Sequence, residues 1–159
     1  MLHNRAFISV FIIFLLKSGV VSASEFDTSV PINKKGLVTY YVSGSIGGFG
    51  TTDFLVDTGS GHSAINETTL EKLHLQGKAK FLKNVSATLA NGSSVTLPVY
   101  IISDINIGGE CVIHNVEAVV LPGKIRNILG LSALEKTAPF AISVNPPRLL
   151  LSQCNNVST

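Results

Sequence analysis

The segment Asp57-Thr58-Gly59 carries the strongest chemical signal in this chain. It directly follows the apolar run Phe54-Leu55-Val56 and directly precedes Ser60, so a carboxylate stands at the end of a predicted buried strand. Poor solvation at such a place favours the neutral form of a carboxyl group, and Gly59 lets the chain turn sharply. An aspartate held in this way is a candidate general base for activating a water molecule.

Two further motifs follow this one in the chain. FLVDTGSGHSAI contains the aspartate, ATLANGSSVTLPVYII reads as a hairpin around Asn91-Gly92, and NILGLSALEK contains two apolar residues before Gly130. In these three motifs, over residues 36–152, the chain resembles the retropepsin-like aspartic peptidases, in particular the small single-domain bacterial members with an N-terminal signal. Two departures are Ser60, where retroviral members usually have Ala, and the unusual Gly61-His62 that follows it.

The resemblance implies a role for each motif. Asp57 is the expected catalytic residue, and Thr58, Gly59 and Ser60 form the active-site turn, with Thr58 hydrogen-bonding across a two-fold axis. The expected flap, which would contact the substrate, has Ala90, Asn91 and Gly92 at its tip. Ile128, Leu129 and Gly130 are the expected support beneath the turn.

The implied fold is all-β: a closed β-barrel of the acid-protease half-domain type, with a flap hairpin and one or two short helices. The residue pattern favours the same class. Runs rich in β-branched and aromatic residues alternate with turn signals, and they predict strands at 37–46, 49–56, 81–90, 93–107, 111–121, 140–144 and 148–152. Asn66 is predicted to cap a helix that ends near Leu73. Residues 131–136 are predicted to form a second, shorter helix.

The N-terminus indicates export. Arg5 precedes an apolar stretch at 7–16, about half the length of a membrane-spanning helix, and small residues precede a cleavage site after Ala23. The predicted organisation is a signal peptide at 1–23, a loose lead-in at 24–35, one domain at 36–154 and a tail at 155–159. The expected destination is the periplasm or the outside of the cell, with an uncleaved membrane anchor as the alternative.

Charge argues against nucleic acid as a partner. Cleavage would remove Arg5 and Lys17 and no acidic residue, so the 12 basic residues fall to ten and balance the ten acidic ones. A neutral chain without a basic patch lacks the electrostatic footprint of a nucleic-acid-binding protein. After signal cleavage no stable membrane span is expected either.

Cys111 and Cys154 are the only cysteines. An oxidising compartment would allow them to form a disulfide, although two cysteines can also remain separate and buried. Cys111 and His114 form a C-x-x-H pair, but no second pair stands at zinc spacing, and side chains three apart on a strand face opposite ways. No metal and no cofactor are therefore expected.

A single copy of the D-T-G motif has a consequence for assembly. Peptide hydrolysis by this chemistry needs two carboxylates that share a proton around one water. Asp53 shares a strand face with Asp57, but four strand residues span about 13 Å, and Asp104 lacks the apolar strand leading into a glycine turn. We therefore expect a homodimer that contributes two copies of Asp57.

The leading prediction is an aspartic endopeptidase that binds an extended peptide under paired flaps. The alternative is a non-catalytic retropepsin-like module that binds peptide or mediates assembly. A third possibility is a monomeric β-barrel adaptor.

Overall fold

The computed structural model describes residues 26–36, 38–88 and 92–155. The predicted signal peptide at 1–23 lies outside the described residues, as do Ala90 and Asn91 of the predicted flap tip. The structural statements below concern the described part of the chain.

The chain forms eleven strands and two short helices in this described part. The strands are β1 (Thr28–Pro31), β2 (Asn33–Lys35), β3 (Thr39–Ile46), β4 (Thr52–Val56), β5 (Ser63–Asn66), β6 (Ala79–Thr88), β7 (Ser94–Ile107), β8 (Cys111–Leu121), β9 (Asn127–Leu129), β10 (Ala141–Val144) and β11 (Pro147–Leu151). The helices are α1 (Glu67–Leu75) and α2 (Leu131–Leu134), and a 3-10 turn (Glu135–Thr137) follows α2.

Six of the strands close into a barrel. They neighbour one another in the order β3, β4, β9, β5, β8 and β7, and β7 also pairs with β3. Their inward side chains, among them Phe54, Ile105, Val116 and Leu129, form the main hydrophobic core. The alternating burial along β7 and β8 has the period of two that a strand with one face on a core requires. The prediction of an all-β fold with a closed barrel is confirmed.

The predicted loose lead-in differs from the structure. Strand β1 pairs with β11, which also pairs with β10, so the two ends of the described chain build a second, three-stranded sheet. Strand β2 pairs with β3 at the edge of the large sheet. Burial of Val30 and Ile32 holds this segment in place, and two strands of three and four residues are too short to show a periodic pattern.

Helix α1 begins where the sequence predicts. The Asn66 side chain accepts a hydrogen bond from the Thr69 N–H at 2.8 Å, which satisfies one of the free donors of the first turn. Leu73 is fully buried and attaches the helix to the barrel. None of the helices described here is long and apolar enough to cross a membrane.

Cys111 and Cys154 form a disulfide, with their Cα atoms 4.8 Å apart. Cys111 begins β8, and Cys154 follows β11. The bond therefore joins the barrel to the end of the terminal sheet. Because Cys111 is used in this bond, the C-x-x-H pair with His114 cannot serve as a pair of zinc ligands.

Candidate active site

The turn that carries Asp57 is built around a strand that lies between its two ends. Strand β9 runs parallel to β4 and antiparallel to β5, so the chain leaves β4, passes through residues 57–62 and returns on the other side of β9. The Asp57 N–H donates to the Leu129 carbonyl at 3.1 Å. The strand pairing thus extends as far as the aspartate itself.

The Asp57 carboxylate is oriented by its own turn. Its Oδ1 accepts a hydrogen bond from the Gly59 N–H at 2.9 Å, and its Oδ2 accepts one from the Ser60 hydroxyl at 3.3 Å. Asp57 and Ser60 are half-buried, whereas Thr58 and Gly59 are exposed. Within a single chain, the carboxylate is therefore fixed in direction, and the tip of the turn is open to solvent.

Gly130 lies directly against this turn. A Cβ atom placed on Gly130 would stand 2.3 Å from the His62 carbonyl oxygen and 2.9 Å from the Ser60 carbonyl oxygen. The next residue, Leu131, donates its N–H to that same Ser60 oxygen at 2.9 Å. The absence of a side chain at Gly130 is what allows the start of α2 to approach the turn so closely.

Two serines complete the support, and the sequence reasoning did not identify them. The fully buried Ser63 donates its N–H to the Ser132 hydroxyl at 2.8 Å, and its own hydroxyl accepts from the Gly130 N–H at 3.2 Å. Ser132 in turn donates to the Glu117 carbonyl at 2.6 Å. The available signal was that Ser63 precedes two apolar residues and that Ser132 stands between Leu131 and Ala133. A hydroxyl that is buried with such neighbours requires a partner.

The predicted support residues separate onto two faces of β9. Leu129 is fully buried in the main core, and its neighbour Ile128 points to the opposite face, as alternation requires. That second face also carries Leu55 and Ala64, which pair directly with Ile128. Leu55 and Ala64 are buried but lie outside the main core cluster. We call this side of the sheet the cleft face, because Asp57 follows Leu55 by two residues.

The other carboxylates considered from the sequence are occupied elsewhere. Lys35 donates to Asp53 at 2.6 Å and the Ser43 hydroxyl donates at 2.9 Å. The hydrogen bond from Lys35, with a smaller contribution from Ser43, lowers the pKa of the Asp53 carboxyl below its ordinary value of 3.8. Asp104 accepts from the Ser103 hydroxyl at 2.6 Å and pairs across strands with His114.

The predicted flap corresponds to the long hairpin of β6 and β7. These strands pair from Ala79 opposite Ile102 to Thr88 opposite Ser94. Gly92, in the connection between them, has a φ of +82°, a conformation that glycine adopts without steric cost. Of the three predicted tip residues, Gly92 is the one that the structure describes.

Within the described ranges, no group of three or more His, Cys, Asp or Glu side chains could hold a metal ion.

Comparison with known proteins identifies the family of the chain. A family model described as aspartyl protease matches residues 42–133, which is more than half of the chain and includes β4, the Asp57 turn and Gly130. The chain belongs to the aspartyl protease family, and its barrel is of the retropepsin-like type.

A solved structure extends the comparison of the fold. The chain is similar to a retropepsin-like aspartic protease from Rickettsia conorii, with a TM-score of 0.54 and 23% sequence identity. The match covers 78% of this chain and 88% of that one, and it shows the shared fold. No curated protein matches the chain.

Proposed function

We propose that this protein is an aspartic endopeptidase that acts as a homodimer, with one water molecule activated between two copies of Asp57. The observation that carries the proposal is the Asp57 carboxylate itself. It is held by Gly59 and Ser60 at the end of a barrel strand, beside an exposed turn tip. One carboxylate would act as the base and the other, protonated, as the acid.

The second carboxylate is assigned to a second chain because neither Asp53 nor Asp104, the other candidates among the described residues, is suitably placed. Asp53 is already paired with Lys35, and Asp104 lies on β7 with its own partners. The exposed Thr58 and Gly59 leave the tip of the turn free to meet the same turn of a partner across a two-fold axis. A peptide would bind in extended form between the cleft face and the β6–β7 hairpin, by adding a strand to the hairpin backbone.

Export is part of the proposal. The disulfide between Cys111 and Cys154 suits an oxidising compartment such as the periplasm or the outside of the cell. The disulfide therefore supports export independently of the N-terminal apolar stretch.

Hydrolysis of a denatured protein tests the chemistry. Asp57→Asn should lower the rate at least about a hundredfold, since loss of a general base typically removes that much, and it should leave the fold intact. Asp53→Asn is the matched control, because it makes the same change four residues earlier on the same strand and should keep activity. A folded Asp57→Asn protein with undiminished turnover contradicts the proposal, and binding of a statine-type inhibitor without any cleavage favours the non-catalytic alternative.

Mixing tests the dimer. When equal amounts of wild-type and Asp57→Asn chains exchange freely, about a quarter of the dimers are fully wild type, so activity should fall to about a quarter rather than a half. The specific rate should also fall on dilution below the dimer dissociation constant, measured in parallel by analytical ultracentrifugation. A monomer that is fully active at every concentration would refute the two-chain site.

A further inference from the structure

A group of charged side chains lies on the cleft face, in line with Asp57 across the sheet. The pairing of β4 with β9 and of β5 with β8, continued by one residue, and that of β9 with β5, continued by two, place Asp57, Gly130, His62 and Glu117 in one cross-strand row. The close approach of Gly130 to the His62 carbonyl agrees with this register. Three strand spacings separate Asp57 from Glu117, which is roughly 14 Å.

Glu117 is the centre of this group. Its Oε2 lies 3.7 Å from the His62 Nε2 and 3.4 Å from the Lys83 Nζ. The three side chains come from three elements: the segment after the catalytic turn, strand β8 and strand β6 of the hairpin. All three are partly exposed, so a bound molecule could reach them.

A β-bulge adds a fourth charge to the same face. Lys80 pairs with Ile101, which pairs with Glu117, and Lys83 pairs with Val99. Residues three apart on a regular strand face opposite ways, but the register shift between Phe81 and Lys83 brings both lysines to the cleft face. The group therefore contains two lysines and one glutamate, together with a histidine that is cationic when protonated.

We infer that this group, Lys80, Lys83 and His62 around Glu117, is a substrate subsite that selects an acidic side chain. The inference rests on the proposed function, since it assumes that an extended peptide crosses this face. Cations outnumber the single carboxylate, so a substrate Asp or Glu gains an ion pair there and a Lys or Arg meets a net repulsion. At about 3.3 Å per residue, 14 Å corresponds to about four residues from the scissile bond.

Glu117 has a distinct role in this arrangement. It holds Lys83 and His62 near one another and partly neutralises them. Removing its charge should therefore strengthen the preference for acidic substrates, while removing the charge of Lys83 should weaken it.

The test uses peptides that differ only by Glu, Gln or Lys at the second, third or fourth position on either side of the cleavage site. At one or more of these positions, wild-type protein should prefer Glu over Gln roughly two- to fivefold in kcat/KM, the range expected of an exposed ion pair. Lys83→Met should weaken that preference and Glu117→Gln should increase it. Lys72→Met, an exposed lysine on α1, is the control and should change nothing.

A binding measurement separates this inference from the proposed function. Fluorescence anisotropy with the same peptides and the Asp57→Asn protein reports the charge preference without catalysis. A preserved preference for Glu without hydrolysis by wild-type protein would refute the peptidase and keep the subsite. Equal treatment of Glu, Gln and Lys, a preference that Lys83→Met leaves unchanged, or failure of every peptide to bind would each overturn the subsite.

Discussion

Gly130→Ala should destabilise the protein because the added methyl group meets backbone and has no free space. The new Cβ would lie 2.3 Å from the His62 oxygen, 2.6 Å from the His62 carbonyl carbon and 2.9 Å from the Ser60 oxygen. Contacts below 3.0 Å force atoms to move, and here the neighbours are backbone, not flexible side-chain ends. Overpacking of this kind typically costs about 1–3 kcal/mol of unfolding free energy.

The displacement would also weaken hydrogen bonds that hold the turn. Leu131 and Ser132 donate to the Ser60 and Gly61 carbonyls, and these bonds lengthen if the start of α2 moves away. We therefore expect the full cost to lie in the upper half of that range. Since Ser60 also donates to Asp57, hydrolytic activity should fall even at temperatures where the variant remains folded.

Gly61→Ala provides a matched control within the same turn. A Cβ at Gly61 meets no atom within 4 Å, and its φ is outside the left-handed region. This substitution should be neutral or stabilising by up to about 1 kcal/mol, through the unfolded state. Urea unfolding of both variants, monitored by circular dichroism, gives the comparison. Equal midpoints for Gly130→Ala and wild type would refute the argument that close approach requires a glycine.

Three further outcomes are expected. Gly92→Val should reduce peptide hydrolysis more than stability. Its φ of +82° is costly for a β-branched residue, but open space surrounds it, so the strain should stay at the hairpin tip that the substrate would meet. Wild-type kinetics would show that the hairpin tip never meets substrate. Reducing the Cys111–Cys154 bond, which spans 43 residues, should cost about 2–4 kcal/mol, and alkylation of the unreduced native protein, read by intact mass, should label neither thiol. The stabilisation from the lowered pKa of Asp53 should be present above its ordinary value of 3.8 and lost as the pH falls through the folded pKa; the gap in urea midpoint between wild type and Lys35→Met should therefore shrink from about pH 5 to about pH 2.5.

The sequence predicts well what depends on neighbouring residues. The two long strands predicted at 93–107 and 111–121, the break between them and the Asn66 cap are local patterns, and each appears in the structure at or within a few residues of its expected place. The strand that ends at Val56 and leads into Asp57 is also predicted from its local sequence pattern.

The hydrogen bonds that support the Asp57 turn could not be predicted from local sequence patterns, since they join residues that are distant in the chain. Ser63 and Ser132 are separated by 69 positions, and no local pattern pairs them. The charged group on the cleft face has a similar origin. Lys83 reaches Glu117 because a bulge changes the register of β6, and a bulge within an otherwise regular strand has no marker in this sequence. The short strands β1 and β2 form because β11 and β3 provide edges for pairing.

Within the proposed dimer, orienting Asp57 and supplying the second carboxylate are separate roles, because the hydrogen bonds of the turn come from its own chain. The bonds that orient Asp57 come from Gly59 and Ser60 of its own chain, and those that support the turn come from α2 and β9 of that same chain. A single chain therefore already presents an oriented carboxylate, and in the proposed dimer the partner would supply the second acid without shaping the first. It follows that Gly130→Ala should disturb only the carboxylate of its own chain. A mixed dimer with wild type keeps two ionisable Asp57 residues, one of them undisturbed, so its activity should lie between the activities of the two homodimers. A loss to about a quarter in both mixtures would contradict this argument, because the mixed dimer with Gly130→Ala would then be inactive although one of its turns is undisturbed.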